Sequence, residues 1–173
     1  MMRFSTLVKH PADWMTGKSK DNAVVITSRI RLARNLRDLP FPGWAMKEER
    51  KEILKTILPE IKGLNKMKNG FAQELSELDS LQKQVMVERH LISREQAARG
   101  DGCAAVVNRK QSLSLMVNEE DHLRMQSIFA GMHLREAYDL LDSIDRQLET
   151  KLSYAFDGKL GYITACPTNL GTG

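Results

Sequence analysis

Residues 113–124, Leu-Ser-Leu-Met-Val-Asn-Glu-Glu-Asp-His-Leu-Arg, constrain this 173-residue chain more than any other stretch. Leu113, Leu115 and Val117 alternate with Ser114 and Met116, the period-two pattern of a half-buried strand. That strand runs straight into Glu119, Glu120 and Asp121. Three adjacent like charges repel one another unless cations or a positively charged ligand sit among them. Arg124 supplies one cation in cis. A fold that takes in this stretch must bury an alternating strand and present its acidic end either to solvent, as an ordinary turn, or to something held there.

The neighbouring residues place that strand in a sheet. The apolar runs 104–108 and 112–118 are joined by Arg109-Lys110-Gln111, which predicts an antiparallel hairpin. Residues 124–129 alternate again and make the next strand of a meander, with the acidic site at one turn. From 134 to 152, Leu134, Ala137, Tyr138, Leu141, Ile144, Leu148 and Leu152 form one helical stripe, which is core. Residues 154–157, a Gly158-Lys159 turn and 160–165 form a last hairpin that delivers Cys166-Pro167-Thr168-Asn169.

Upstream, residues 1–22 read as polar and irregular, with Trp14 in a short helical turn and a loop at 17–22. The β-branched run 23–27 reads as a buried strand. Beyond it an extended Ser28-Arg29-Ile30-Arg31-Leu32 puts Arg29 and Arg31 on one side and Ile30 and Leu32 on the other. Paired guanidinium groups leaving a buried strand face either solvent or anions, and phosphate oxygens match their planar donors. Residues 46–69 read as helical with Pro59 as a kink or break, 71–75 as a short strand, and 79–89 as a helix capped by Asp79 or Ser76. His90 follows that helix as a packing or capping residue, and 93–102 is a loop or a short exposed helix. Strands, helices and hairpins in this order predict an α+β domain with helices on an antiparallel sheet.

Composition narrows the function classes. The formal net charge of +4 is compatible with an anionic ligand and too small to argue for nucleic acid, and basic residues are not interleaved with aromatics. No apolar run approaches the roughly 18 residues of a membrane span, and the N-terminus lacks a signal-peptide pattern, so a cytoplasmic protein without membrane or nucleic-acid partners is expected. Cys103 and Cys166 have neither disulfide-scaffold density nor zinc-site spacing. Cys103 reads as a small buried hydrophobe. Cys166, at a strand exit beside hydroxyl residues, reads as chemical or as buried filler.

Three stretches together resemble the phosphagen (guanidino) kinases: Thr27-Ser28-Arg29-Ile30-Arg31 with Ala33-Arg34-Asn35, then residues 118–124, then Cys166-Pro167-Thr168-Asn169-Leu170-Gly171-Thr172. Glu88-Arg89-His90-Leu91-Ile92-Ser93 lies between the first two. The resemblance implies the glutamine-synthetase/guanidino-kinase type of catalytic domain over 23–173, truncated at its C-terminus, and transfer of the γ-phosphoryl of Mg-ATP to a guanidinium. It implies that Glu120 orients the guanidinium and acts as base, that Glu119 and Asp121 hold the acidic loop or approach Mg2+ through water, and that Cys166 helps hold the substrate. It further implies nucleotide binding by Thr27, Ser28, Arg29, Ile30, Arg31, His90 and Arg124, with no direct metal ligand. The Arg-Leu-Ala-Arg-Asn and His-Leu-Ile-Ser wording, with only 27 residues ahead of Ser28, is similar to the bacterial protein-arginine kinase branch. That branch implies protein substrates marked for degradation, a McsA-type zinc-binding activator, a Clp ATPase/protease and a homodimeric parent enzyme. A kinase for a small guanidino compound and a non-catalytic nucleotide-binding remnant remain the alternatives.

Overall fold

Alternating apolar residues dictate five strands that pair into one antiparallel sheet. The computed structural model describes residues 2–17 and 24–171. In chain order its elements are α1 (Phe4–Lys9), β1 (Thr27–Arg34), α2 (Lys47–Gly63), β2 (Phe71–Glu74), α3 (Ser80–Glu88), α4 (Arg94–Ala98), β3 (Ala104–Val107), β4 (Leu113–Val117), β5 (Leu123–Ala130), α5 (Leu134–Glu149), β6 (Phe156–Asp157) and β7 (Gly161–Tyr162). The sheet order is β1-β5-β4-β3-β2, and β6 and β7 form a separate two-stranded ribbon. No helix among the described residues is long and apolar enough to cross a membrane.

Register decides what each face carries. Arg31 lies opposite Gln126, Ala33 opposite Arg124, and Met116 opposite Arg124, so these side chains share a face. Leu32, Met125, Leu115 and Val106 share the other, where they join Ile53, Ile57 and Ile61 of α2 and Leu141, Ile144 and Leu148 of α5 in the larger core. A smaller core on the arginine face joins Phe71, Val107 and Met116 to Leu7 of α1, Leu75, Met86 of α3, and Leu91. Helices therefore cover the β2–β4 part of that face. The β1–β5 part is polar and open.

Local chemistry accounts for the helix starts. Asp79 caps α3, its carboxylate accepting from the Gln82 N–H at 2.8 Å while the Gln82 side chain accepts from the Asp79 N–H at 3.1 Å. Ser93 caps α4, accepting from the Gln96 N–H at 2.9 Å. Pro59 sits inside α2, which continues past it to Gly63.

Three expectations change. The predicted strand over 23–27 does not form: the sheet strand begins at Thr27, and Val24 and Ile26 are 89% and 75% exposed. Among the described residues nothing covers these β-branched side chains, and propensity without burial does not make a strand. Ala23 and the predicted loop residues 18–22 lie outside the described residues, as do Thr172 and Gly173. Within the segment read as irregular, Phe4–Lys9 is helical and buries Leu7 completely against the smaller core, and Trp14 sits in the predicted short turn at Asp13–Thr16. The last hairpin keeps its place but shrinks to two-residue strands: the Ile163 N–H still donates to the Ala155 carbonyl in ladder register, but the Ala155 N–H turns away to the Asn35 carbonyl, so the pair does not close.

Candidate functional site

Period two in β1 and β5 brings Arg29, Arg31, Arg124 and Gln126 to one patch of the sheet, where the α3–α4 connection overhangs them. A cavity of about 290 Å³ results, lined by Arg29, Arg31, Arg124 and Gln126 from the sheet and by His90 and Ser93 from the connection. Gln126 donates its amide to the His90 carbonyl, tying floor to rim. His90 adopts a left-handed backbone, φ 56°, and its ring packs at 5.3 Å on Trp14.

The electrostatics favour an anion. Partial dehydration at the open mouth lowers the Arg31 pKa, and the facing Arg124 and Arg29 lower it further, against the pull of Glu119. Burial alone would lower the Arg124 pKa too, but its hydrogen bond to Glu119 and the charges of Glu119, Glu120 and Asp121 outweigh it and raise the value. Four guanidinium groups line the cavity, Arg29, Arg31, Arg94 and Arg124, against the carboxylates of Glu88 and Glu95, and Glu119 pairs directly with Arg124 alone, so positive charge is left on the sheet side for a ligand to neutralise.

The acidic turn between β4 and β5 is built, and its three acids have different environments. The Asn118 N–H closes it on the His122 carbonyl at 3.0 Å. Glu119 is 1% exposed and fully engaged: Ser93 Oγ donates to Oε1 at 2.6 Å, and Arg124 Nη1 and the Glu120 N–H donate to Oε2, each at 2.8 Å. Burial pushes the Glu119 carboxyl up, yet those donors prevail and hold its pKa below the ordinary value. Glu120 points outward, its side chain 44% exposed and 3.9 Å from Arg124 Nη1. Asp121 is completely buried, accepting on one oxygen from Asn35 Nδ2 at 2.6 Å and from the Ala165 N–H at 2.7 Å. The second bond fastens the acidic turn to the segment carrying Cys166. Cys166 Sγ is half-buried and lies 2.8 Å from the Thr168 hydroxyl, so of the cations and hydroxyls expected around a thiolate its contact is a hydroxyl.

The structure therefore gathers Arg29, Arg31, His90 and Arg124 around one cavity, with Glu119 at its border through Arg124. Glu120, Asp121 and the Cys166 segment join through backbone and carboxylate. Ser28 and Ile30 fall outside that grouping. The Ser28 hydroxyl donates to the Gly131 carbonyl and accepts from the His133 N–H, while Ile30 packs on the larger core. Thr27 begins β1 on the arginine side by register. Residue-by-residue reading missed Gln126, although its position two after Arg124 signals the shared face. It also missed Ser93, whose helix-capping pattern hid a second partner in Glu119, and Arg99, which donates to the Glu119 carbonyl at 2.6 Å. Cys103 is fully buried, as read.

Comparison with known proteins decides the lineage. Residues 52–173 match the family described as ATP:guanido phosphotransferase, C-terminal catalytic domain. The chain belongs to the guanidino phosphotransferase family. Among curated members, the protein-arginine kinase of Clostridium acetobutylicum is 44% identical over 162 residues, covering 93% of this chain and 48% of that protein. Those of Halothermothrix orenii and Moorella thermoacetica are 39% and 43% identical, over 95% and 92% of this chain and 47% of each relative. The chain thus spans about half the length of the curated relatives it matches. Among solved guanidino kinases, the substrate-free duplicated taurocyamine kinase of Schistosoma mansoni superposes with a TM-score of 0.79 at 25% identity, over 99% of this chain and 25% of that one. A lombricine kinase superposes with a TM-score of 0.75 at 26% identity, over 94% of this chain and 50% of its own. The α+β expectation and the guanidino-kinase resemblance both hold.

Proposed function

We propose that this chain carries the nucleotide side and part of the guanidinium side of a cytoplasmic protein-arginine kinase. The observation that carries the reading is the sharing of Arg124. One guanidinium closes the arginine cavity and also pairs with Glu119 of the acidic turn, so a phosphate chain and an acceptor nitrogen would meet across it.

In this reading Arg29, Arg31 and Arg124 surround the phosphates of ATP, with His90 at the rim. Positioning and charge neutralisation supply most of the rate in phosphoryl transfer. The acceptor guanidinium is protonated at neutral pH and needs a carboxylate to orient it and take its proton. Glu120 is the acid of the turn left open for that task. As the acceptor nitrogen bonds to the γ-phosphorus, the bond to the β-phosphate oxygen breaks, ADP departs and the proton passes to Glu120. Cys166 faces the same substrate from the other loop. Mg2+, when bound, screens the phosphate charge. The ion would arrive with the nucleotide, and Glu119 and Asp121 would approach it at most through water.

Protein-borne arginine is favoured over a small guanidino compound because the relatives named protein-arginine kinase are 39–44% identical, whereas the taurocyamine and lombricine kinases are 25–26% identical. The proposal carries with it protein substrates, a zinc-binding activator, a Clp-type protease downstream and a homodimeric parent enzyme. Incubation with Mg-ATP and either an arginine-bearing protein or free arginine tests it. Acid-labile phosphoarginine in the protein, detected by mass spectrometry, is expected. Label on free arginine alone makes this a small-guanidine kinase. A rise in melting temperature with ATP and no phosphate transfer by this chain makes it a nucleotide-binding remnant. Glu120→Gln should lower transfer by roughly 100-fold or more, the scale of a lost general base.

A further inference from the structure

A single buried amide joins the three segments on which the proposed chemistry depends. Asn35, 1% exposed, follows the end of β1. Its Nδ2 donates to Asp121 Oδ1 at 2.6 Å and to the Ile163 carbonyl at 3.1 Å, and its Oδ1 accepts from the His122 N–H at 2.9 Å. Its own carbonyl accepts from the Ala155 N–H at 2.7 Å. Asp121 and His122 follow Glu120 directly, and Ile163 and Ala165 lead into Cys166. We propose that Asn35 is a positioning residue that holds the carboxylate limb and the thiol limb of the guanidinium grip at a fixed separation. The inference rests on the roles given above to Glu120 and Cys166.

The physical reason is the scarcity of donors. Asp121 is completely buried and takes two hydrogen bonds on one oxygen, while its other oxygen has no hydrogen-bond partner. A buried carboxylate needs every donor it has. Without Asn35 the carboxylate would keep only the Ala165 N–H and would be driven to find water, carrying the acidic turn with it. The Ile163 carbonyl would lose the Asn35 donor at the same moment. An asparagine that only filled the core would destabilise the fold on removal and leave the spacing of the two loops alone. An asparagine that sets the spacing leaves a mark on the thiol.

The test uses the intact chain with Asn35→Ala and Asn35→Ser. Iodoacetamide labelling of Cys166 is followed peptide by peptide, with buried Cys103 reporting any general unfolding. N-acetyl-arginine amide is the guanidinium probe and Mg-ATP the probe of the arginine cavity. The expected result is a change of about tenfold or more in Cys166 labelling, the scale of one lost hydrogen bond to a charge. Protection of Cys166 by the arginine amide is lost as well, while Cys103 stays protected and Mg-ATP still raises the melting temperature. Folded variants with wild-type Cys166 reactivity and wild-type protection overturn the proposal. Should neither variant fold, hydrogen exchange on the unaltered protein decides: the His122 and Ala165 amides must open together, and rates differing by more than about tenfold overturn it. If the unaltered chain shows neither protection by the amide nor a shift with ATP, the kinase reading fails, and labelling and exchange still judge Asn35.

Discussion

Arg31 stands at the cavity mouth facing Arg29 and Arg124, a placement that works against its own ionisation. Such crowding costs the free protein something and returns it when an anion binds, so stability and binding should respond to substitution in opposite senses. Arg31→Ala should weaken Mg-ATP binding by roughly 10- to 100-fold, the loss of one charge-assisted contact, without lowering the melting temperature of the free chain. Titration calorimetry and thermal unfolding check the two halves. His122 makes a different prediction. Its ring is buried, with Nδ1 accepting from the Leu36 N–H at 2.9 Å and Nε2 at 2.8 Å from the Pro40 carbonyl, which assigns the proton to Nε2. Burial lowers its pKa below the ordinary 6.5, ahead of the opposing effects of Pro40 and Asp121. The unfolded chain therefore binds the proton more readily. Stability should be complete above about pH 6.5 and fall as pH drops toward the lower folded-state value. Urea unfolding across pH 7 to 5 should show that slope, and His122→Gln should flatten it.

At the level of elements, the hairpin leading to Cys166 is the most exacting piece of backbone. Gly161 has φ 79°, and a Cβ there would come within 2.7 Å of the Gly171 Cα, across the bridge that pairs Tyr162 with Gly171. Gly161→Ala should cost about 1–3 kcal/mol by combined strain and clash, and should speed Cys166 labelling, whereas the open position at Gly158 should tolerate alanine. Parallel denaturant melts check it. The pattern of what could be read in advance follows from periodicity. The α5 stripe states its buried face outright, and alternation marked β4 and β5 as strands, but β4 is not half-buried as expected: Ser114 and Met116 are covered too, because the smaller core closes over that face. Val24 and Ile26 misled because a β-branched run specifies a strand only where another element covers it. Leu7 went unread because one buried leucine in a six-residue helix has no period to announce it.

For the molecule as a whole, both faces of the sheet are covered over β2, β3 and β4, and the arginine face is left open over β1 and β5. That asymmetry makes the site. The larger core fixes where β1 and β5 lie, and period two then places Arg29, Arg31 and Arg124 on the side the helices do not cover. The arginines and the acidic turn could be picked out from residue types. Arg124 lies five residues from Glu119 and could be read as its cation, but the tie from Asp121 through Asn35 to the thiol segment could not, because those partners lie 86 and 44 residues apart in sequence. Removing packing beneath the site should disturb it only through stability. Leu141→Ala, in a fully buried position on α5, should cost about 2–5 kcal/mol with ATP affinity preserved in the folded fraction, a result that denaturant melts and calorimetry would register together. The most direct measurement is arginine-specific labelling with phenylglyoxal, mapped by mass spectrometry with and without Mg-ATP. The account predicts that nucleotide shields Arg29, Arg31 and Arg124 together and leaves the exposed Arg135 unchanged. Equal labelling of the three with and without nucleotide, or shielding at other arginines instead, would contradict it.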